Sequence, residues 1–125
     1  MLNKFEIQGT RDTPEIIFNP GNNHFEIKGN SLPEDSNKFY NPVLDWLDNY
    51  VLNPLEETKV ICKLEYFNSS TAKILYEIFF GFQKIHTAGK KVQIDWYYDA
   101  GDTFIEDKGT EYKSILDLPF NLIEK

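Results

Sequence analysis

The sequence predicts an α/β protein, a mixed β-sheet with helices mainly on one face, built as one domain over residues 1–125. Three observations carry this. Lys59 to Phe67 (KVICKLEYF) alternates apolar and polar side chains with the period of a strand and runs straight into an apolar pattern of helical period. A second alternating run, Val92 to Tyr98, follows that helix. A strand, helix, strand unit from Lys59 to Tyr98 requires parallel strands joined by a right-handed crossover. Ahead of both lie short apolar runs interrupted by a turn signal, the pattern of an opening antiparallel hairpin. With 125 residues, 41% of them hydrophobic, the chain suits one core and leaves no room for a second domain.

Taken in order, Phe5-Glu6-Ile7 and Glu15 to Phe18 are short β-type runs, Asn19-Pro20-Gly21-Asn22-Asn23 is a turn, and His24 to Lys28 is a better strand. After Gly29 and a polar turn around Pro33, a helix is expected over Asn37 to Leu52, because Tyr40, Val43, Leu44, Leu47 and Val51 fall on one helical face. Its start has two readings: Asn41-Pro42 as cap and first helical residue, or Ser36 as cap with Pro42 inside and bending the helix. The central strand should turn Val60, Cys62, Leu64 and Tyr66 to one side and Ile61, Lys63, Glu65 and Phe67 to the other.

The next helix, Thr71 to Ala88, lines up Leu75, Ile78, Phe79, Phe82 and Ile85, with Gly89 a natural residue just past its end. Gly81 inside it costs about 1 kcal/mol against Ala unless a close contact needs its size. The following strand places Val92, Ile94, Trp96 and Tyr98 inward and Gln93, Asp95, Tyr97 and Asp99 outward. Asp99 to Asp102 reads as a loop, Thr103 to Leu116 as a weak helix interrupted by Gly109, and Pro119 to Ile123 as an edge strand.

Charge and composition exclude several functions. A net charge of -7 argues against nucleic acid and anionic membrane, which need a basic patch, and the longest basic cluster is Lys90-Lys91. The first residues lack a continuous apolar core and no stretch approaches the ~18 apolar residues of a membrane span, so a cytoplasmic location is expected. The one cysteine, Cys62, cannot form an intrachain disulfide and sits in an apolar strand pattern, as a buried small hydrophobe does. No catalytic residue, metal site or cofactor is expected. His24 and His86 stand apart from other ligand residues, and no phosphate loop, nucleophile elbow or zinc motif occurs. A triad of Ser69 or Ser70 with His86 fails on geometry, since His86 lies about 25 Å down the same helix. The acid pairs Glu34-Asp35, Glu56-Glu57 and Asp99 with Asp102 follow no ion-binding pattern and read as solvated loops.

One place exceeds structural need. Asn68-Ser69-Ser70-Thr71 joins the central strand to its helix, where the first backbone N–H groups are unpaired and a partial positive charge gathers. One side chain suffices to cap, leaving the others to solvent or a partner. The junction is either a plain cap or an anion and phosphoryl site.

The run YFNSSTAKIL resembles the SiaC family of bacterial regulatory phosphoproteins, as do GTRDTPEI near the N-terminus, FEIKGNSLPEDS leading into LDWLDNY, KKVQIDWYYD and the closing LPFNLI. The similarity spans nearly the whole chain. The junction also resembles, more distantly, the equivalent segment of STAS-type anti-sigma factor antagonists. The resemblance implies a STAS-like α/β domain phosphorylated at this junction by a serine/threonine kinase and dephosphorylated by a PP2C-type phosphatase. It also implies an effector protein bound in one phosphorylation state, a diguanylate cyclase in the best-known systems. The family's acceptor, the first hydroxyl after the Asn, falls on Ser69, with Ser70 and Thr71 as alternates, and Lys73 matches the family pattern as a partner for phosphate or protein. The competing reading is a small anion- or phosphate-binding domain or enzyme using the helix start at residues 68–71.

Overall fold

The computed structural model describes residues 3–125. Its elements are β1 (Phe5–Ile7), β2 (Glu15–Asn19), β3 (His24–Ser31), α1 (Ser36–Tyr50), β4 (Glu57–Phe67), α2 (Ser69–Thr87), β5 (Lys91–Tyr98), α3 (Thr103–Ile115) and β6 (Phe120–Glu124), with a 3₁₀ turn at Pro20–Asn22. All six strands form one sheet in the order β1-β2-β3-β4-β5-β6. The first two pairings are antiparallel and the last three parallel, so the sheet is mixed. Each parallel step needs a crossover, supplied in turn by α1, α2 and α3. Because the strands advance in one direction and such crossovers share a hand, the three helices collect on one face.

That face holds the core. Ile16, Phe18, Phe25, Ile27, Val60, Cys62, Leu64, Phe67, Val92, Ile94, Trp96 and Phe120 from the sheet are all buried with Tyr40, Val43, Leu47 and Tyr50 of α1 and the predicted stripe of α2. Phe79 stands edge-on to Trp96 (6.1 Å between centroids) and Tyr112 (5.3 Å), which joins α2, β5 and α3. Offset and edge-on aromatic pairs add stabilisation beyond the area they bury.

The departures from expectation are local and have causes. Helix α1 begins at Ser36 with Asp35 as its cap, whose carboxylate accepts from Lys38 N at 3.1 Å, and Pro42 lies inside the helix. Helix α2 begins at Ser69, two residues earlier than expected, because Asn68 is the cap. In β4 the alternation breaks: Gly29 pairs with Leu64 but Asn30 pairs with Tyr66, so Glu65 is a bulge. One extra residue flips every later side chain. Phe67 therefore enters the core and Tyr66 is 47% exposed, the reverse of the regular pattern.

Asp95, expected outward, is 3% exposed on the helix-free face, where Gln93 Nε2 and Asn121 Nδ2 each donate to it at 3.0 Å and Lys59 Nζ lies at 3.4 Å. Helix α3 runs unbroken through Gly109. A Cβ there would press on Trp96 and stand 2.6 Å from Leu122 Cδ2, so the glycine marks close packing and not an interruption. Gly81 plays the same part between helices, since its Cβ would stand 2.6 Å from Leu47 Cδ2 of α1.

Candidate functional site: the start of helix α2

The site is built where β4 hands over to α2. Phe67 ends the strand with its ring against Trp96 (6.0 Å) and Phe104 (5.4 Å), which anchors the chain just before the turn. Asn68 follows in extended conformation (φ -85°, ψ 174°), and its side-chain oxygen accepts from Thr71 N at 2.9 Å and from Ser70 Oγ at 3.0 Å. Asn68 N donates to Ser31 O at 3.2 Å, tying the turn to β3.

The three hydroxyls have different fates. Thr71 is fully buried; its Oγ1 donates to Ser31 O at 3.2 Å and lies 2.9 Å from Ser31 Oγ, which in turn lies 2.7 Å from the Tyr40 phenol. Each hydroxyl has one proton to give, so the chain runs in one direction: Tyr40 donates to Ser31, Ser31 to Thr71, and Thr71 to the Ser31 carbonyl. Burial pushes the Tyr40 phenol up to about 12 despite the opposing hydrogen bond with Ser31, so it stays protonated at neutral pH. Ser70 donates to Asn68 and lies 2.6 Å from Ser36 Oγ at the start of α1, which leaves Ser36 as donor to Ser70. Ser69 is the exception. It occupies the first helical position and is exposed, as Ser70 is, but its hydroxyl has no hydrogen-bond partner among the described residues.

The surroundings are mixed in charge. Lys73 is exposed one turn beyond Ser69 and has no ion-pair partner among the described residues. Toward α1, a cavity of about 500 Å³ is lined by Ser69, Ser70 and Lys73 but also by Glu34, Asp35 and Glu77. Toward α3, Ser69 borders two more, of about 620 and 370 Å³, both lined by Lys108. The first turn of α2 contains no acidic residue, so its partial positive charge is not offset from within.

Neither histidine approaches this site. His24 starts β3 with Nε2 3.1 Å from Glu26 Oε1, and His86 lies in the last turn of α2. Among the described residues, no group of three His, Cys, Asp or Glu is placed to hold a metal. Asp102 caps α3 through Ile105 N at 3.1 Å, and Cys62 is 1% exposed with burial pushing its thiol up. Another cavity, of about 630 Å³, lies at the opposite end of the sheet against His86, Lys59, Lys90 and Lys91, and those lysines are already paired with Asp95, Glu56 and Glu57.

Sequence reasoning found Asn68, Ser69, Ser70, Thr71 and Lys73 but missed Ser31, Ser36, Tyr40 and Lys108. The missed residues belong to β3, α1 and α3, distant in sequence, and no local pattern marks them.

Fold and site together define an α/β domain that presents an exposed hydroxyl, unbonded among the described residues, at a strand-to-helix turn. The model described as "SiaC family regulatory phosphoprotein" matches residues 7–125. The chain belongs to the SiaC family. An uncharacterized protein of Pseudomonas aeruginosa (strain UCBPP-PA14) is 24% identical over 119 residues, 95% of this chain and 94% of that protein. The fold matches the solved structure of SiaC of Pseudomonas aeruginosa with a TM-score of 0.90 at 23% identity, over 99% of this chain and 100% of that one. It matches equally a chain in the crystal structure of the diguanylate cyclase SiaD in complex with its activator SiaC from Pseudomonas aeruginosa. There the TM-score is 0.90 at 24% identity, over 97% of this chain and 99% of the other. Among the described residues, no helix is long and apolar enough to cross a membrane.

Proposed function

We propose that this protein is a cytoplasmic, non-enzymatic adaptor that switches partners according to phosphorylation of Ser69. The observation that carries the proposal is the sorting of the three hydroxyls: Ser69 is exposed and unbonded, Ser70 is exposed but held between Asn68 and Ser36, and Thr71 is fully buried. A kinase must surround its acceptor oxygen, which favours Ser69 over both alternates.

In the forward step Ser69 Oγ attacks the γ-phosphorus of kinase-bound ATP. The new P–O bond forms as ADP departs, and the hydroxyl proton passes to the kinase's base. A PP2C-type phosphatase reverses the state by transferring the phosphoryl group to water. The effector is a protein bound in one of the two states, and the SiaD–SiaC complex makes a diguanylate cyclase the first candidate.

Magnitudes indicate how the switch works. A phosphate brings about -1.5 to -2 charge, and its attraction to a helix start is worth about 0.3 to 2 kcal/mol. Reversing a 1:99 preference takes about 5.5 kcal/mol. The remainder comes from the interface, where a partner shaped for a neutral hydroxyl must bury a dianion. The fold therefore stays and the partner changes. The alternative, a free phosphate ligand at the helix start, is opposed on the α1 side by Glu34, Asp35 and Glu77.

The test is phosphosite mapping after treatment with the kinase, joined to effector titration of wild type, Ser69→Ala and Ser69→Asp. Phosphate on Ser69, none on Ser69→Ala, and an effector affinity that differs between modified and unmodified protein support the proposal. Phosphate confined to Ser70 would move the site, and equal affinity of all forms would refute the switch.

A further inference from the structure

Helix α3 passes the Ser69 junction in a fixed register, shown by two contacts on either side of it. Phe104 lies against the strand end, 5.3 Å from the Tyr66 ring and 5.4 Å from Phe67. Two turns later Tyr112 donates its phenol to Ala72 O at 2.7 Å, in the first turn of α2. Residues four apart on a helix share a face. Lys108 sits midway between Phe104 and Tyr112 on that face, at the level of Ser69 and Ser70, which lie midway between Phe67 and Ala72. The cavities agree, since Lys108 and Ser69 line the same two.

The present partner of Lys108 is weak. Its Nζ lies 3.5 Å from Glu111 Oε2, an exposed pair within one helix, of a kind that contributes little. The two sides of Ser69 also differ in sign. The α1 side carries Glu34 and Asp35, whereas the α3 side carries Lys108, with Lys73 between and Glu77 and Glu111 as the acids in reach. A dianion on Ser69 is repelled from one side and drawn to the other.

We propose that Lys108 of α3 is the receptor for the phosphate on Ser69, exchanging Glu111 for it and clasping it together with Lys73, so that modification ties α3 to the start of α2. The proposal rests on Ser69 as acceptor. It assigns the phosphorylated state a defined structure in which Lys108 turns inward over the α2–α3 cavity and changes the surface any partner meets there.

The experiment installs phosphoserine at position 69 during translation, so that it does not depend on a kinase, and follows the phosphate by ³¹P NMR as pH is varied. Lys108→Gln should raise the second pKa of the phosphate by about half a pH unit, about threefold in proton affinity, because a cation that favours the dianion is gone. Lys108→Arg should restore the wild-type value, which separates charge from packing. Glu111→Gln should lower the pKa by freeing Lys108, and Lys113→Gln, on another face of α3, should leave it unchanged. If Lys108→Gln fails to fold, the fall with Glu111→Gln against no change with Lys113→Gln carries the decision. A titration curve and ³¹P shift unmoved by Lys108→Gln, or by Glu111→Gln where that variant decides, overturn the proposal. Failure of the kinase to modify Ser69 is read separately by phosphosite mapping and would refute the acceptor assignment instead.

Discussion

Replacing Thr71 and Ser69 in parallel tests the division of labour among the junction hydroxyls. Thr71→Val keeps shape and β-branching but deletes the donor to Ser31 O and the acceptor for Ser31 Oγ, in a site with no exposure. Ser31 O still accepts from Asn68 N at 3.2 Å, but the Ser31 hydroxyl, which already accepts from the Tyr40 phenol at 2.7 Å, loses the acceptor for its own proton. The loss should therefore be about 1 to 3 kcal/mol, since one buried donor is left unpaired. Ser69→Ala removes a hydroxyl bonded to nothing described, at a position where Asn68 already caps, so stability should change by no more than about 0.5 kcal/mol. Urea denaturation at neutral pH measures both, and kinase treatment with mass spectrometry should find Thr71→Val modified like wild type and Ser69→Ala unmodified. A neutral Thr71→Val with Ser69→Ala losing more than about 1 kcal/mol would mean that Ser69 shares the capping and Thr71 is idle, and the assignment of roles would fall.

Three further outcomes follow from the packing. Phe79→Ala should cost about 3 to 5 kcal/mol as a core truncation, whereas Lys63→Ala should cost under about 1, since Lys63 has only a 4.0 Å ion pair with Glu26 and a place over the Tyr97 ring; equal losses in chemical denaturation would deny the packing of α2. Gly109→Ala should destabilise by about 1 to 2 kcal/mol, because pressure on Trp96 and Leu122 outweighs the gain of about 1 kcal/mol in helix propensity, and a more stable variant would show that α3 does not approach β5 so closely. Alkali should destabilise the fold: Tyr40 rises from 10.0 to about 12 on burial, so the stability it confers is complete below pH 10 and lost as pH climbs toward 12, with Tyr112 and Cys62 acting in the same sense. Urea midpoints that hold steady from pH 9 to 11.5 would contradict this.

Much of the site was legible because it is local. A strand of period two, a helix of period 3.6 and an Asn between them specify a cap whatever the rest of the chain does. The two errors at that junction are also local in cause. The helix starts at Ser69 because Asn68 is the better cap, and Tyr66 turns outward because Glu65 bulges to keep β4 in step with β3 across Gly29. A bulge answers to the neighbouring strand, which the alternation within one strand does not describe.

Asp95 and Gly109 teach the same lesson from opposite sides. By pattern Asp95 belongs to solvent, yet Lys59, Gln93 and Asn121 from three strands close over it. Gly109 reads as a break in a helix, yet it is where the helix backbone meets an indole. Both depend on what arrives from elsewhere in the chain.

By itself the sequence determined the order of strands and helices, the parallel unit around β4, the apolar faces that make one core, and the hydroxyl-rich turn at residues 68–71. These follow from side-chain periodicity and capping chemistry, which act over a few residues. Only the tertiary structure decided which hydroxyl is free. Ser31 and Tyr40 claim Thr71, Ser36 claims Ser70, and α3 brings Lys108 beside Ser69; burial and hydrogen bonding are settled between segments some 35 to 40 residues apart, after the sheet has put them in contact.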